Sequence, residues 1–565
     1  MMNRNLRKKI FSLCFISLIS FPSALFARSA QELSPSGSWV YDAATAIAME
    51  AGIVNFSDST PISIAEMKSY LNEIDYDSLS NAGKKQWTRI FDYFGEDGLG
   101  LESSLMLLKA YPSVNLEGYY KTNDEIEWVF DRYERSPVID VPVMLSMGDF
   151  VCMYMDAYLS QNKNTMREND TYTNIPLEAS QFDVNFPDTA YISTGYRFND
   201  DCGVAFFLGS PQQSVGRTGT KSLIYSENVT GATVGKLSLY SPNLKYSASI
   251  IQLGNYDEIH SNAQDSFAEY DTSSGYYLYL HQIEARLFQK ITFTALEGLS
   301  VYAPLELRYL NPFTVQHGYA AWRDYGENEA YTCDYFGLKF NYVPARYWRV
   351  YGLFAMSQYQ TPYELDNYGD DVTPNGLGGQ LGVESYIPFG EGYLHFTLDG
   401  CYTQPYLYIR EAAEWSLVRY YRENMGDTHY VFYEWVGSPF GPDTISAQLS
   451  VDYEEAGKWS VGLTYLFMVQ GEKADLSQKC FREKGAWCFP TTWSEADEAT
   501  PSGVAKYTNR ISLFGSLQAT PYLSFALQPS FVTIKNNEHH SGENASGFEV
   551  AFSMKFDITS LITGK

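Results

Sequence analysis

Apolar and polar residues alternate one by one along much of this chain, most clearly between Ile511 and Phe556. In the final segment every second residue from Phe548 to Phe556 is apolar, and the residues between them are polar or small: Glu549, Ala551, Ser553 and Lys555. Successive strand side chains point to opposite faces, so one face of this strand is apolar. A bilayer core requires a tilted strand of about 9–11 residues. The pattern therefore predicts membrane-spanning β-strands.

The same alternation recurs after residue 230, where short turns and long polar segments take turns along the chain. Short turns are predicted near Pro242, Glu297, Pro344, Phe389, Gly426, Gly457 and Pro521. Long polar segments lie near 254–274, 320–332, 360–378, 403–415, 471–506 and 535–546, with a shorter one near 436–443. Short turns on one side and long loops outside are typical of transmembrane barrels. This phasing predicts seven hairpins and a final strand after residue 232, with the chain ending on the periplasmic side.

The strands before residue 230 are harder to phase. Candidates are Tyr111–Lys121, Trp128–Arg135, Val138–Leu145, Phe150–Leu159, Ala190–Phe198 and Gly203–Leu208. A soluble β-sandwich would alternate too. The signal peptide described below, the asymmetry between short turns and long loops, and the large aromatics at strand ends favour a barrel. We therefore expect a mainly β fold, in which residues 101–565 form a large antiparallel transmembrane β-barrel of about 16–18 strands.

Residues 28–100 do not alternate and predict a small α-helical region on the periplasmic side. Trp39–Ala51 is predicted to form a helix that Gly52 ends. Ser63 and Glu66 have the spacing of a capping box, which indicates the start of a second helix. A third helix is predicted to follow Ser80 and Asn81.

Residues 1–27 have the layout of a secretory signal peptide, with a basic stretch, a short apolar core and small residues before Ala27. The apolar core is too short for a membrane anchor, and Cys14 lies inside it rather than at a lipoprotein cleavage site. Cleavage after Ala27 would release an exported mature chain, and the predicted barrel places that chain in the bacterial outer membrane.

Composition agrees with a barrel and excludes other classes. The chain of 565 residues has 46 Tyr and 34 Phe, yet beyond the leader no apolar run reaches the length of about 18 residues that a membrane helix needs. The net charge is −27, and removing the four basic residues of the leader makes it about −31, which disfavours nucleic acid as a partner. Cys480 and Cys488 could form a disulfide in an oxidising compartment. No cysteine has zinc-ligand spacing, and we expect no cofactor or metal.

Two segments depart from the strand pattern and are the candidate sites. Gly209–Asn228 is rich in Gly, Ser and amides, and Arg217 and Lys221 are its only cations. With Ser226, these residues would suit a hydroxyl-rich or anionic sugar if the segment folds into the lumen; a flexible extracellular loop is the alternative. The second segment contains Glu306, Arg308 and Asn311. On a strand, Glu306 and Arg308 would share the lumen face, where a structural ion pair is the alternative to a ligand site.

These two segments resemble the Wzi-like capsule-assembly family of outer-membrane proteins. The resemblance lies in Gly209–Asn228, in Glu306–Pro312 and in the helical opening from Ser38 to Ile62. It implies an eighteen-stranded barrel with a periplasmic helical bundle, a largely filled lumen and attachment of capsular or other surface polysaccharide at the outer face. The segment before Gly209 lacks the tryptophan-rich form of the family, and the loops at 471–506 and 535–546 are this chain's own.

The sequence suggests two functions and disfavours a third. In the first, a non-enzymatic barrel binds surface polysaccharide through loop aromatics such as Tyr359, Tyr363, Trp487 and Trp493, which could equally be ordinary loop-packing residues. Its other expected partners are outer-membrane lipid and the barrel-insertion machinery. The second is a porin-like channel for small polar solutes. A hydrolase is disfavoured because no histidine has a recognisable motif and no GxSxG elbow occurs. A calcium site at Asp366, Asp370 and Asp371 is disfavoured, because these residues lack the spacing of an EF-hand.

Overall fold

The protein is described by a computed structural model that covers residues 28–564 with internal gaps at 97, 104, 127–134, 164, 166–171, 185–186, 256–274, 312, 318–330, 368–372, 414–415, 426–427, 483–485 and 497–498. The predicted signal peptide lies outside the described residues. So do residues 128–134 of the predicted strand Trp128–Arg135, together with Asp370 and Asp371.

Eighteen antiparallel strands close into one barrel, as the sequence predicted. They are β1 (Leu107–Ala110 and Ser113–Lys121), β2 (Ile139–Met147), β3 (Val151–Leu159), β4 (Ala190–Arg197), β5 (Gly203–Gly209), β6 (Val234–Tyr240), β7 (Leu244–Asn255), β8 (Gly275–Leu287), β9 (Ile291–Ala303), β10 (Tyr331–Ala345), β11 (Trp348–Gln358), β12 (Gly376–Phe389), β13 (Gly392–Thr403), β14 (Thr444–Glu455), β15 (Trp459–Gln470), β16 (Lys506–Thr520), β17 (Leu523–Lys535) and β18 (Asn544–Asp557).

The barrel closes between its last strand and its first. Phe556 of β18 is paired with Val114 of β1. The two segments of β1 keep one register against β2, since Leu107 faces Ser146 and Ser113 faces Asp140. Pro112 interrupts them because proline has no N–H to donate to the ladder. A short strand, Leu99–Glu102, flanks the first segment.

The faces of β18 are those that the alternation predicted. Phe548 and Phe552 are 41% and 43% exposed on the outer surface, whereas Glu549 and Ala551 are buried inside. Exposed apolar side chains on the other strands continue this outer belt, which is the surface that a membrane barrel presents to lipid. Below, "short-turn end" is the end with the tight turns, and "loop end" is the end with the long loops.

One predicted turn is wrong, and one predicted hairpin lies outside the barrel wall. Glu297 lies in the middle of β9, and the turn before that strand is at residues 288–290, where Phe288 and Gln289 both have φ of 56°. The hairpin predicted around Gly426 exists, as strands Val418–Met425 and Thr428–Trp435, but it forms a separate sheet. Since β13 pairs directly with β14, this hairpin is an insertion between barrel strands. The barrel therefore has six hairpins and a final strand after residue 232.

The three predicted helices are present as α1 (Trp39–Ala51), α2 (Ile64–Leu71) and α3 (Asn81–Phe94). The hydroxyls of Ser38, Ser63 and Ser80 accept backbone N–H donors at their N-termini, which satisfies groups that a helix leaves unpaired. Gly52 ends α1 with φ of 77°, a left-handed conformation that glycine adopts readily. Among the described residues, no helix has both the length and the apolar character needed to cross a membrane.

The helices cover the short-turn end of the barrel. Val54 N–H donates to the Gln289 carbonyl in the β8–β9 turn at 2.8 Å, and Tyr347 in the β10–β11 turn donates to the Met49 carbonyl at 2.9 Å. Lys85 pairs with Glu391, which lies in the β12–β13 turn. The helical region is thus joined to three neighbouring turns and forms a cap on this end.

Candidate functional site

The lumen is filled by chain segments between the cap and the loop end. Residues 210–231, called the plug segment below, leave β5 and enter the barrel before β6 begins. Ser214 and Val215 form a small antiparallel ladder with Ser59 and Thr60 of the cap. The following residues are almost fully buried: Leu223, Ile224 and Tyr225. The segment Gly209–Asn228 is therefore mostly internal, and the alternative of a flexible extracellular loop is wrong.

The described residues of the stretch 404–443, which are all but 414–415 and 426–427, fill the lumen from the loop end. The Tyr408 hydroxyl donates to the Leu223 carbonyl, and Asn228 Nδ2 donates to the Trp435 carbonyl at 2.9 Å. Tyr335 of β10 donates to the Ile224 carbonyl at 2.7 Å. These bonds join both entering segments to each other and to the wall.

Arg217 lies between the cap and the barrel wall. Its guanidinium reaches Asp42 of α1 at 2.7 Å and Glu384 of β12 at 2.6 Å. Burial alone would lower the pKa of Arg217, but Glu384 and Asp42 outweigh it and raise that pKa above its ordinary value. Both acidic partners are already bonded to Arg217, so the geometry gives it the role of an internal link between plug, cap and wall.

A second set of buried charges links the cap to the wall. Asp58 lies beside Lys339 of β10 and 3.9 Å from Arg349 of β11. Burial would raise the pKa of Asp58, but these two cations lower it to about 2. Glu66 of α2 pairs with Lys245 of β7 at 2.5 Å. The Glu66 carboxylate is therefore used in this ion pair. Of the predicted capping box, the bond from Glu66 N–H to the Ser63 hydroxyl is present.

Lys221 and Ser226 belong to the packing of the plug segment. Lys221 has φ of 67°, and its carbonyl accepts from Gln380 Nε2 at 3.0 Å. Ser226 is fully buried, and its backbone N–H donates to the Val436 carbonyl at 3.0 Å. These contacts fix the path of the chain through the lumen.

Glu306, Arg308 and Asn311 are not on a lumen-facing strand, so that prediction is wrong. β9 ends at Ala303 because Pro304 cannot continue the ladder, and Leu307–Leu310 forms a 3-10 turn beyond it. Glu306 and Arg308 do pair, at 2.5 Å, but within this turn. Asn311 Oδ1 accepts from Phe313 N–H at 3.2 Å.

His395 of β13 lies in a lumen cavity of about 430 Å³ beneath the plug segment. Its Nδ1 is 3.1 Å from Asp452 and its Nε2 is 3.1 Å from Glu384, with the Thr397 hydroxyl at 2.9 Å. This resembles a hydroxyl–histidine–carboxylate relay, but both ring nitrogens face carboxylates. That arrangement fits two N–H donors and leaves no ring nitrogen to accept a proton from Thr397. The geometry is that of an internal ion network.

The described loops present aromatic side chains outside the barrel. Tyr359, Tyr363 and Trp487 are 50%, 69% and 60% exposed, and Trp493 is half-buried. The loops that carry Tyr359 and Trp487 both contact residues 410–411. The Arg410 guanidinium donates to the Gln358 side-chain oxygen, and Cys488 N–H donates to the Glu411 carbonyl at 2.7 Å.

The Trp487 loop is held from both sides. Cys480 and Cys488 are joined by a disulfide with their Cα atoms 5.2 Å apart. Phe489 packs edge-on against Tyr406, with ring centroids 6.1 Å apart. We call Tyr359, Tyr363, Trp487 and Arg410 the loop face.

Sequence reasoning found the aromatics of the loop face but missed Arg410 and the internal network of Asp58, Lys339, Arg349, Glu384 and His395. Charged residues on the inward positions of alternating strands were the available signal for Arg349 and Glu384. Nothing in the local sequence marks Arg410. Within the described part of the chain, no group of three or more His, Cys, Asp or Glu residues could hold a metal ion.

Comparison with protein-family models gives no match, and comparison with curated proteins gives none either. The fold is similar to that of Wzi, described as an outer-membrane protein involved in group 1 capsule assembly in Escherichia coli and a carbohydrate-binding β-barrel. The two share 12% identity at a TM-score of 0.56, over 92% of this chain and 98% of Wzi.

Two further similarities are weaker. One is to OprD of Pseudomonas aeruginosa, at 11% identity and a TM-score of 0.38, over 79% of this chain and 94% of OprD. The other is to the outer-membrane channel DcaP of Acinetobacter baumannii, at 10% identity and a TM-score of 0.32, over 81% and 99% of the two chains. The chain has the fold of the outer-membrane β-barrels.

Proposed function

We propose that this protein is a non-enzymatic outer-membrane barrel that binds surface polysaccharide of the capsular type at its loop face. The short-turn end, with its helical cap, then faces the periplasm, and the long loops face outward. The observation that carries the proposal is the loop face itself, where exposed aromatic rings lie on loops that are bonded to one another. Aromatic rings stack on the apolar faces of sugars. Arg410, whose side chain is 14% exposed and bonded to Gln358 and Glu411, supports the loops that carry these rings.

The filled lumen supports binding over conduction. A barrel of 16–18 strands without internal segments encloses an aqueous channel. Here the plug segment and residues 404–443 meet in the lumen through Tyr408 and Leu223, and α1 is tied to β12 through Arg217. The likeness to Wzi, a carbohydrate-binding barrel, agrees with this proposal.

The proposal is tested by measuring polysaccharide binding to the purified full-length protein. The ligand is capsular-type polysaccharide extracted from the producing bacterium, and an unrelated neutral glucan serves for comparison. We expect Trp487→Ala and Tyr359→Ala each to weaken binding by about fivefold or more, as the loss of a central interface aromatic does.

A matched control is Tyr76→Ala. Tyr76 is 41% exposed on the cap, at the opposite end from the loops, so this variant should bind as the wild type does. Equal binding by wild type and by the combined Tyr359→Ala, Tyr363→Ala and Trp487→Ala variant would contradict the proposal. Loss of binding in Tyr76→Ala alone would place the site at the wrong end.

A further inference from the structure

The outward-facing side chains of β8 are exposed at some positions along the strand and covered at others. Inward positions are even-numbered, since Gln282 donates to Ser59 at 2.6 Å and Arg286 pairs with Glu73 at 2.6 Å. Odd-numbered side chains therefore face outward. Ile283 is 52% exposed, as expected of the belt, yet Tyr279 is only 1% exposed. Another segment must cover Tyr279 from outside.

That segment is the chain after β9, residues 304–311 and 313–317, called the flap below. The Tyr309 ring lies on Tyr279 with centroids 5.0 Å apart, and Tyr309 is itself 1% exposed. Leu299, which pairs with Tyr279 across the ladder, and Val301 are also covered. The flap thus folds from the loop end down over the outer face of the barrel.

Polar groups of the wall lie beneath the flap. Glu297 and His281 are paired across β8 and β9 and share the outward face with Asp334 of β10. His317 N–H donates to Glu297 at 3.1 Å, and His317 Nδ1 is 2.5 Å from Asp334. Gln316 is fully buried, and its Nε2 lies 3.4 Å from His281 Nε2. Charged groups are unfavourable on a lipid-facing wall, and the flap supplies them with partners.

The exposed surface of the flap is mainly apolar. Five side chains within eleven residues are between 40% and 94% exposed: Leu305, Leu307, Leu310, Phe313 and Val315. An ordinary extracellular loop turns such residues inward and its polar residues outward. This flap turns these five outward, together with Arg308, Asn311 and His317. Beyond the flap, toward the short-turn end, the outward face of β8, β9 and β10 is exposed again at Ile283, Phe293 and Leu338.

We propose that the apolar side chains of the flap are in contact with the acyl chains of the outer leaflet. The flap then separates His281, Glu297 and Asp334 from lipid and presents an apolar surface to lipid in their place. The proposal rests on the outer-membrane placement of the barrel and is independent of the glycan. Glu306 and Arg308 pair three to five residues beyond the end of β9, toward the loop end, where a long arginine side chain reaches the headgroups while its stem stays in apolar surroundings.

Spin labels on the protein in phospholipid vesicles test this. Labels are attached to cysteines introduced as Leu307→Cys, Phe313→Cys or Val315→Cys, in a Cys202→Ser background because Cys202 is the one free cysteine among the described residues that is not buried. Relaxation by oxygen, which concentrates among acyl chains, is compared with relaxation by a water-soluble nickel chelate. Phe293→Cys provides the lipid-facing reference. Leu177→Cys, at a 73% exposed position in the β3–β4 loop, provides the water-facing one.

We expect labels at 307, 313 and 315 to give the high oxygen and low nickel accessibility of the Phe293 label. If the flap labels instead give values like those of the Leu177 label, the proposal is overturned. If the Phe293 label still faces lipid in that case, the barrel remains placed in the membrane. Low accessibility to both reagents would also overturn it and would indicate a second copy on the flap, which dilution with unlabelled protein detects. A Phe293 label that is accessible to nickel would refute the membrane placement itself.

Discussion

Arg217 and Glu384 are in contact at 2.6 Å inside the barrel, although they are separated by 167 residues and belong to the plug segment and to β12. Glu384 is also 2.9 Å from Arg349 and 3.1 Å from His395. Arg217, which the sequence suggests as a sugar-binding residue, thus links the plug segment to the cap and to the barrel wall.

Arg217→Ala should therefore lower stability and leave polysaccharide binding unchanged. Truncation removes one of the cations around buried Glu384 and leaves Asp42 without its partner, a loss of about 1–3 kcal/mol. The urea midpoint in detergent measures the effect. Lys458→Ala, which breaks a surface pair with Glu455, is the control and should leave the urea midpoint close to that of wild type. Reduced glycan affinity at unchanged stability would instead restore Arg217 as a binding residue.

The barrel and its cap could be predicted from the sequence because their signals are local. Alternation at period two indicates a strand wherever one face contacts lipid, and a serine N-cap indicates the start of each helix, at Ser38, Ser63 and Ser80. The errors arise where a local signal has a non-local meaning. The hairpin around Gly426 has the pattern of barrel strands, but whether it joins the wall depends on β13 pairing with β14.

The site residues were less predictable for the same reason. Glu306 and Arg308 have strand spacing, and only Pro304 hints that the strand has ended. Asp58, Lys339 and Arg349 come together from three distant parts of the chain. No spacing rule connects them, because their proximity follows from how the cap inserts into the lumen.

Asp58 should make stability depend on pH in the acid range. Its pKa of about 2 in the folded protein lies below the ordinary value of about 3.9, so it contributes stability above that value and loses it as pH falls toward 2. At pH 7, Asp58→Asn should be less stable than wild type by about 2 kcal/mol. The difference between the two proteins should shrink between about pH 4 and pH 2. A difference that stays constant over this range would contradict the role of Asp58.

The purified wild-type protein should carry little current in a planar bilayer. The plug segment, residues 404–443 and the cap all occupy the path that is open in porins. Replacing residues 212–229 with a short Gly-Ser linker should produce a measurable steady current, provided that the variant keeps its heat-modifiable mobility on gels as evidence of a closed barrel. A large steady current through wild type would favour the channel function over polysaccharide binding.

The disulfide between Cys480 and Cys488 should matter for binding but not for the barrel. It closes the short loop that carries Trp487, and Cys488 N–H holds that loop to Glu411 at 2.7 Å. Without the disulfide, Trp487 must be ordered on binding, which costs about 0.5–1.5 kcal/mol for such a side chain. The double variant Cys480→Ser and Cys488→Ser should therefore bind polysaccharide about threefold to tenfold more weakly.

The same double variant should keep the urea midpoint of wild type, since the loop lies outside the strand ladder of β15 and β16. Reduction of the wild type with a mild thiol should reproduce the loss of affinity and should add nothing to that of the variant. Undiminished affinity in the reduced wild type and the variant, with both barrels intact, would show that the Trp487 loop takes no part in binding. The loop face would then be limited to the residues around Tyr359 and Arg410.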